Sequence, residues 1–180
     1  MPDTAVQLPH LPHLPALALR GLPLVPLTLM LQGFARRMAR RHPALFKRLG
    51  DYNSARYVLD PTDLPLTLLL EPRGGHPRLQ LSRRPQLGDA RIAGPLAALL
   101  GMVHGAYDGD ALFFSRDLLI EGDTAAVLAL RNAIDDAELD LAGEAAALSG
   151  PLATQIRRLI DLAEQKTGVA LSRQQEEDPW

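Results

Sequence analysis

The residues able to do acid–base or metal chemistry in this chain sit in small, separate groups. His10 and His13 are three apart, but Pro9, Pro12 and Pro15 surround them and no acid stands nearby in sequence, so they make a poor metal pair. His76 and His104 are isolated. Asp108-Gly109-Asp110 lacks the remaining ligands of an EF-hand loop. Asp135 and Asp136 are neighbours, and on a helix neighbours point in different directions, which argues against a shared carboxylate site. The chain has no cysteine, which excludes disulfides, Cys-ligated zinc and thiol catalysis. No Gly-x-Ser-x-Gly, P-loop or Gly-x-Gly-x-x-Gly pattern occurs. No catalytic residue, metal or cofactor is therefore assigned, and the chain is not expected to be an enzyme.

One acidic group remains: Glu121-Gly122-Asp123, where the apolar run beginning near Leu112 stops. Gly122 permits a sharp change of direction and Asp123 is a good helix N-cap. Acids there also suit the start of a helix dipole. Their use is structural.

The cations are the other chemically capable group. Residues 1–50 hold seven basic residues against one acid, a net of +6, whereas residues 51–180 hold 12 basic and 20 acidic residues, a net of −8. A cationic segment on an acidic body suits an anionic surface. Arg36, Arg37, Arg40 and Arg41 cluster beyond an apolar stripe of Leu27, Leu31, Phe34 or Ala35, and Met38. Two readings stay open: a core-packed helix with a solvated basic face, or a helix that also meets a membrane surface through these four arginines. The basic run lacks interleaved aromatics and the body is acidic, so nucleic acid is not expected as a partner.

The elements that must position these groups follow from pattern. Hydrophobic residues make up 47% of the 180 residues but aromatics only 4%, so one domain with an aliphatic core is expected. Residues 8–31 are apolar but broken by five prolines, which fits neither a signal peptide nor a spanning helix. An extended apolar arm over 1–26 is expected to be buried within the chain, in a dimer or in lipid. A helix over about 27–41 follows, with Pro43 discouraging helix at His42. Short strands are expected at Tyr57–Leu59, Leu66–Leu70, Leu79–Leu81 and Asp89–Gly94, with Gly74-Gly75 as a hairpin turn. Pro95 starts a compact helix that ends near Gly105. Leu112–Glu121 reads as the best strand. Behind it Val127, Leu130, Ile134, Ala137 and Leu141 form one helical stripe, and Leu152 to Ala163 another, ending at Gly168. The tail from 169 to 180 is polar. This order predicts an α+β domain over 27–168 with a small, mostly antiparallel sheet.

The same residues carry a resemblance. Asp110 to Asp140, DALFFSRDLLIEGDTAAVLALRNAIDDAELD, resembles the C-terminal signature of the sterol carrier protein type 2-like lipid-binding domains. In that family a final strand ends in an acidic-Gly-Asp turn and feeds a helix. The form LFF-x-R-x-L-x-IEGDT, with Asn132, Asp135 or Asp136, and Glu138 behind it, is similar to the UbiT-like accessory factors of bacterial ubiquinone biosynthesis. VPLTLMLQGFARRM resembles their entry helix, so the likeness spans roughly residues 20–145. The Leu-Pro-His repeat and the polar tail fall outside it.

The resemblance implies a twisted sheet of about five strands covered by helices, enclosing an apolar lipid pocket. It implies a non-catalytic partner that presents polyprenylated quinone precursors to UbiU- and UbiV-like hydroxylases of the U32-peptidase type in oxygen-independent ubiquinone biosynthesis. The implied setting is cytoplasmic, with contact to the inner membrane. Each CH₂ of a prenyl tail removed from water is worth roughly 0.8 kcal/mol, so an aliphatic wall suits such a ligand. Candidate lining residues are Leu68, Leu70, Leu96, Leu100, Phe113, Leu119 and Leu130. Alternation alone does not distinguish a pocket wall from a packed interior. The other reading is a membrane- or enzyme-docking module without a cavity, and phospholipid or a second copy of the chain are further partners to weigh.

Overall fold

In the computed structural model the described residues are 21, 23–104 and 118–137. Helix α1 runs Leu24–Arg41. It starts three residues before the expected Leu27, because Pro26 lies in the first turn, where its missing N–H has no intrahelical partner to lose. At His42 the backbone leaves the helical region (φ −119, ψ 61) and Pro43 opens a new helix, α2, Pro43–Leu49. Proline thus ends one helix and starts another. The 3₁₀ turn Gly50–Ser54 leads into the sheet.

Five short strands follow the expected positions closely: β1 Tyr57–Pro61, β2 Thr67–Glu71, β3 Arg78–Ser82, β4 Ala90–Gly94 and β5 Leu119–Gly122. They form one sheet in the order β3-β2-β1-β4-β5. β1 pairs parallel with β4, and the other three pairings are antiparallel. β2 and β3 form the expected hairpin, whose loop is longer than two residues and turns through Arg73, Gly74 and Gly75, all at positive φ. Helix α3, Leu96–His104, follows β4, and helix α4, Thr124–Ala137, follows β5. Of the expected strand Leu112–Glu121, residues 112–117 lie outside the described residues. So do the proline-rich arm to residue 20, the expected helix ending at Gly168, and the polar tail.

Register fixes which side chains share a face, because successive residues of a strand alternate. Tyr57 pairs with Leu70 and with Ala90, Leu59 with Leu68 and with Ile92, and Ile92 with Ile120. On β3 the partners of Leu70 and Leu68 are Leu79 and Leu81. This face carries the helices. Tyr57, Ala90 and Ile92 are buried in one cluster with Leu49 of α2, Ala98, Leu99 and Met102 of α3, and Ala126, Val127, Leu130, Ala133 and Ile134 of α4. Each large aliphatic side chain buried there contributes about 1.5–3 kcal/mol. The small residues Ala97, Ala98, Ala126 and Ala133 have no exposed surface, which lets α3 and α4 approach closely. No helix among the described residues is long and apolar enough to cross a membrane.

Candidate ligand-binding face

The Glu121-Gly122-Asp123 turn shows what its three residues do. Asp123 Oδ1 accepts hydrogen bonds from the backbone N–H groups of Ala125 and Ala126, both at 3.0 Å, and so caps α4. Gly122 has φ +83, and a Cβ there would stand 2.3 Å from the carbonyl oxygen of Asp89. That oxygen accepts from the Asp123 N–H at 2.9 Å. Glu121 pairs with the Arg91 guanidinium.

Asp89 ties the same corner to β1. Its Oδ2 accepts from the Arg56 backbone N–H at 2.8 Å and its Oδ1 from Arg56 Nη2 at 3.2 Å. These side-chain and backbone hydrogen bonds hold the Asp89 carboxyl below the usual carboxylate range. Both side chains are about half exposed, so the pair orients the corner more than it stabilises it. Tyr57, wholly buried at the start of β1, donates its hydroxyl proton to the Tyr52 carbonyl at 3.2 Å. Burial first, and then the negative charge of Asp123, push its ionisation up to about 12. It is a fixed neutral donor.

The outward face of the sheet carries an ion ladder. Arg91 of β4 donates through Nε at 3.0 Å and Nη2 at 2.5 Å to Asp60 of β1, and also pairs with Glu121 of β5. The hydrogen bonds to Asp60 and then Glu121 raise the Arg91 guanidinium further above neutrality. This ladder flanks an open cleft of about 640 Å³, with Leu64, Leu66, Arg84 and Gln86 among its walls. Among the described residues no cluster of three or more His, Asp or Glu side chains is placed to hold a metal ion.

The expected lining residues divide between the two faces. Leu68 and Leu70 of β2 lie on the helix-covered face, where Leu70 packs against the core and Leu130 is buried within it. Leu96 and Leu100 of α3 are half-buried. Leu119 stands apart. It pairs with Ala93 on the outward face and is 54% exposed. Ile120, not among the expected lining residues, holds the inward position and packs on the core. Phe113 lies outside the described residues. Of the four arginines, Arg36 and Arg40 face a groove beside β3, whereas Arg37 and Arg41 are exposed and do not line it.

The groove exists because α1 docks on the edge strand through Gln32. Its Nε2 donates to the Pro77 carbonyl at 2.6 Å, and its Oε1 accepts from the Leu79 N–H at 2.8 Å. One amide thus satisfies two of the polar groups that the edge strand and the residue before it would leave open. Nothing in the sequence marks Gln32, a polar residue beside an apolar stripe.

Comparison with known proteins places this architecture. A model described as the SCP-2 sterol transfer family matches residues 35–135. Among solved structures, one described as "UbiJ-SCP2 Ubiquinone synthesis protein" is similar with a TM-score of 0.55 and 19% identity, over 66% of this chain and 98% of that one. At that identity the likeness concerns the fold alone. A crystal structure of sterol carrier protein 2 aligns with a TM-score of 0.46 and 16% identity, over 59% of this chain and 94% of that one. Sterol carrier protein 2 from Yarrowia lipolytica aligns with a TM-score of 0.44 and 12% identity, over 62% and 91%. No curated protein matches the sequence. The family match runs from the end of α1 through all five strands into α4, over more than half of the chain, and the chain belongs to the SCP-2 sterol transfer family.

Proposed function

We propose that this protein is a non-catalytic lipid-binding accessory factor of ubiquinone biosynthesis. It binds polyprenylated aromatic precursors in an apolar pocket against the helix-covered face of the sheet. It presents them to UbiU- and UbiV-like hydroxylases in the oxygen-independent route, at or near the inner membrane. The observation that carries this reading is the family match over residues 35–135, which covers the whole sheet. The likeness to a protein described as a ubiquinone synthesis protein directs the choice of lipid. The inward leucines Leu68, Leu70, Leu79 and Leu81 supply a wall without unpaired polar atoms. Mass spectrometry of an organic extract of the purified protein tests the reading. A prenylated quinone precursor is the expected companion. A lipid-free preparation that also ignores added prenylphenol refutes carriage.

One observation favours a second reading, a membrane-docking module. Val25, Leu29 and Met30 of α1 are 71%, 67% and 65% exposed, ahead of the exposed Arg36, Arg37, Arg40 and Arg41. Exposed apolar residues beside arginines fit the interface of an anionic bilayer. Flotation with anionic vesicles separates the readings. Leu29→Asp with Met30→Asp abolishes flotation if α1 is the anchor, and leaves extracted lipid unchanged if the carrier reading holds as well.

A further inference from the structure

The groove between α1 and the β2–β3 connection has a volume of about 570 Å³ and is lined by four arginines, Arg36, Arg40, Arg73 and Arg78, together with His76. They come from two distant parts of the chain. Gln32 brings the parts together, fixing α1 against Pro77 and Leu79. Among the described residues no carboxylate lines the groove. One stands behind it: Glu71, largely buried, with its Oε2 2.5 Å from Arg73 Nη2. That contact is an ion pair without hydrogen-bond alignment, since the same oxygen accepts no hydrogen bond. Among the described residues, four guanidinium charges thus face one open space against a single counter-charge.

Gathering like charges costs free energy unless an anion completes the set. The guanidinium fork matches the paired oxygens of a phosphoryl group, which can engage several arginines at once, whereas one carboxylate offers two oxygens and a single charge. Arg73 is held in the tight β2–β3 turn, where Arg73, Gly74 and Gly75 all have positive φ (47, 59 and 98). The rim is not wholly polar. Leu29 lines it, and Val25 lies one helical turn away, both largely exposed. A hydrocarbon attached to the phosphoryl group would run along them.

We propose that this groove is a binding site for a phosphate or diphosphate group, borne by a lipid or free in solution. The site adjoins the helix-covered face at Leu79, is built from different polar residues, and stands whether or not a prenyl chain is carried there.

Isothermal titration of the full chain with inorganic pyrophosphate, geranyl diphosphate and geraniol tests it. Saturable binding of both phosphorylated probes is expected, weakening as salt rises. Geranyl diphosphate tighter by tenfold or more assigns the site to a lipid head group; equal affinity assigns it to a free anion. The variant Arg36→Gln with Arg40→Gln is expected to lose at least tenfold in affinity for both. Arg78→Gln, on the other element, should lose affinity as well, while Arg37→Gln leaves it unchanged. All four side chains are exposed, so circular dichroism should show each variant folded. The proposal is overturned if neither phosphorylated probe binds, if geraniol binds as well as its diphosphate, or if Arg37→Gln weakens binding as much as the double variant.

Discussion

Replacing Gly122 by alanine should damage the fold more than any other single-methyl addition at a described glycine. Three costs accumulate. The left-handed conformation at φ +83 penalises a residue with a Cβ by about 1–2 kcal/mol. The new methyl would stand 2.3 Å from the Asp89 carbonyl oxygen, well inside the 3.0 Å that real Cβ atoms keep, and the obstacle is backbone rather than a mobile side chain. Relieving such overpacking costs about 1–3 kcal/mol. The displaced carbonyl then loses the Asp123 N–H at 2.9 Å, worth about 0.5–1.5 kcal/mol. The sum is about 2.5–6.5 kcal/mol, a large share of the ~5–15 kcal/mol that holds a domain together. Urea unfolding followed by circular dichroism measures it. Gly33→Ala is the internal control. Gly33 sits in α1, where an added methyl would meet nothing within 4 Å, so alanine there should gain about 0.5–1 kcal/mol. A loss below about 1 kcal/mol for Gly122→Ala, with Gly33→Ala behaving as stated, would refute the assignment of that turn to steric necessity.

Two further outcomes follow from the same corner. Asp123→Ala removes the acceptor for the Ala125 and Ala126 N–H groups and should lower stability by about 1 kcal/mol, whereas Asp123→Asn should keep most of it; the same urea titration reads both. Tyr57 gives a pH signature. Its folded ionisation at about 12 lies above the roughly 10 of an unfolded tyrosine. The folded state therefore keeps its full advantage below pH 10 and loses it as pH rises toward 12, by about 2–3 kcal/mol at most. Tyr57→Phe should flatten that alkaline slope, and an unchanged slope would remove Tyr57 as its source.

How legible the molecule is in its sequence depends on how local each cause is. Four strands and the α4 stripe are readable because alternation and the 3–4 spacing act over a few residues. The capping role of Asp123 and the bend at Gly122 are readable for the same reason. Helix α2 is not, because Pro43 reads as a breaker when only the preceding helix is considered, and PALFKRL is just seven residues long. The phase of β5 is unreadable. Leu118, Leu119 and Ile120 are all apolar, and only the pairing of Ile92 with Ile120 decides which of them turns inward. The Asp60–Arg91–Glu121 ladder is hidden altogether, since its members belong to three strands that only the sheet order makes neighbours.

The arginine cluster shows how one non-local contact changes the meaning of a sequence pattern. Residues 32, 36 and 40 share a helical stripe, and residues 37 and 41 lie about 100° further round. As sequence, the four arginines are a single basic patch. Gln32 settles the rotation of α1 about its own axis by holding the Pro77 carbonyl and the Leu79 N–H. With that rotation fixed, Arg36 and Arg40 turn toward Arg73 and Arg78, and Arg37 turns away on the side of the exposed Met30. On the proposed readings a bilayer role would draw on Arg37 and Arg41, and a phosphoryl-binding role on Arg36 and Arg40. The arginines of the two halves can be varied separately, whereas Leu29 borders both surfaces.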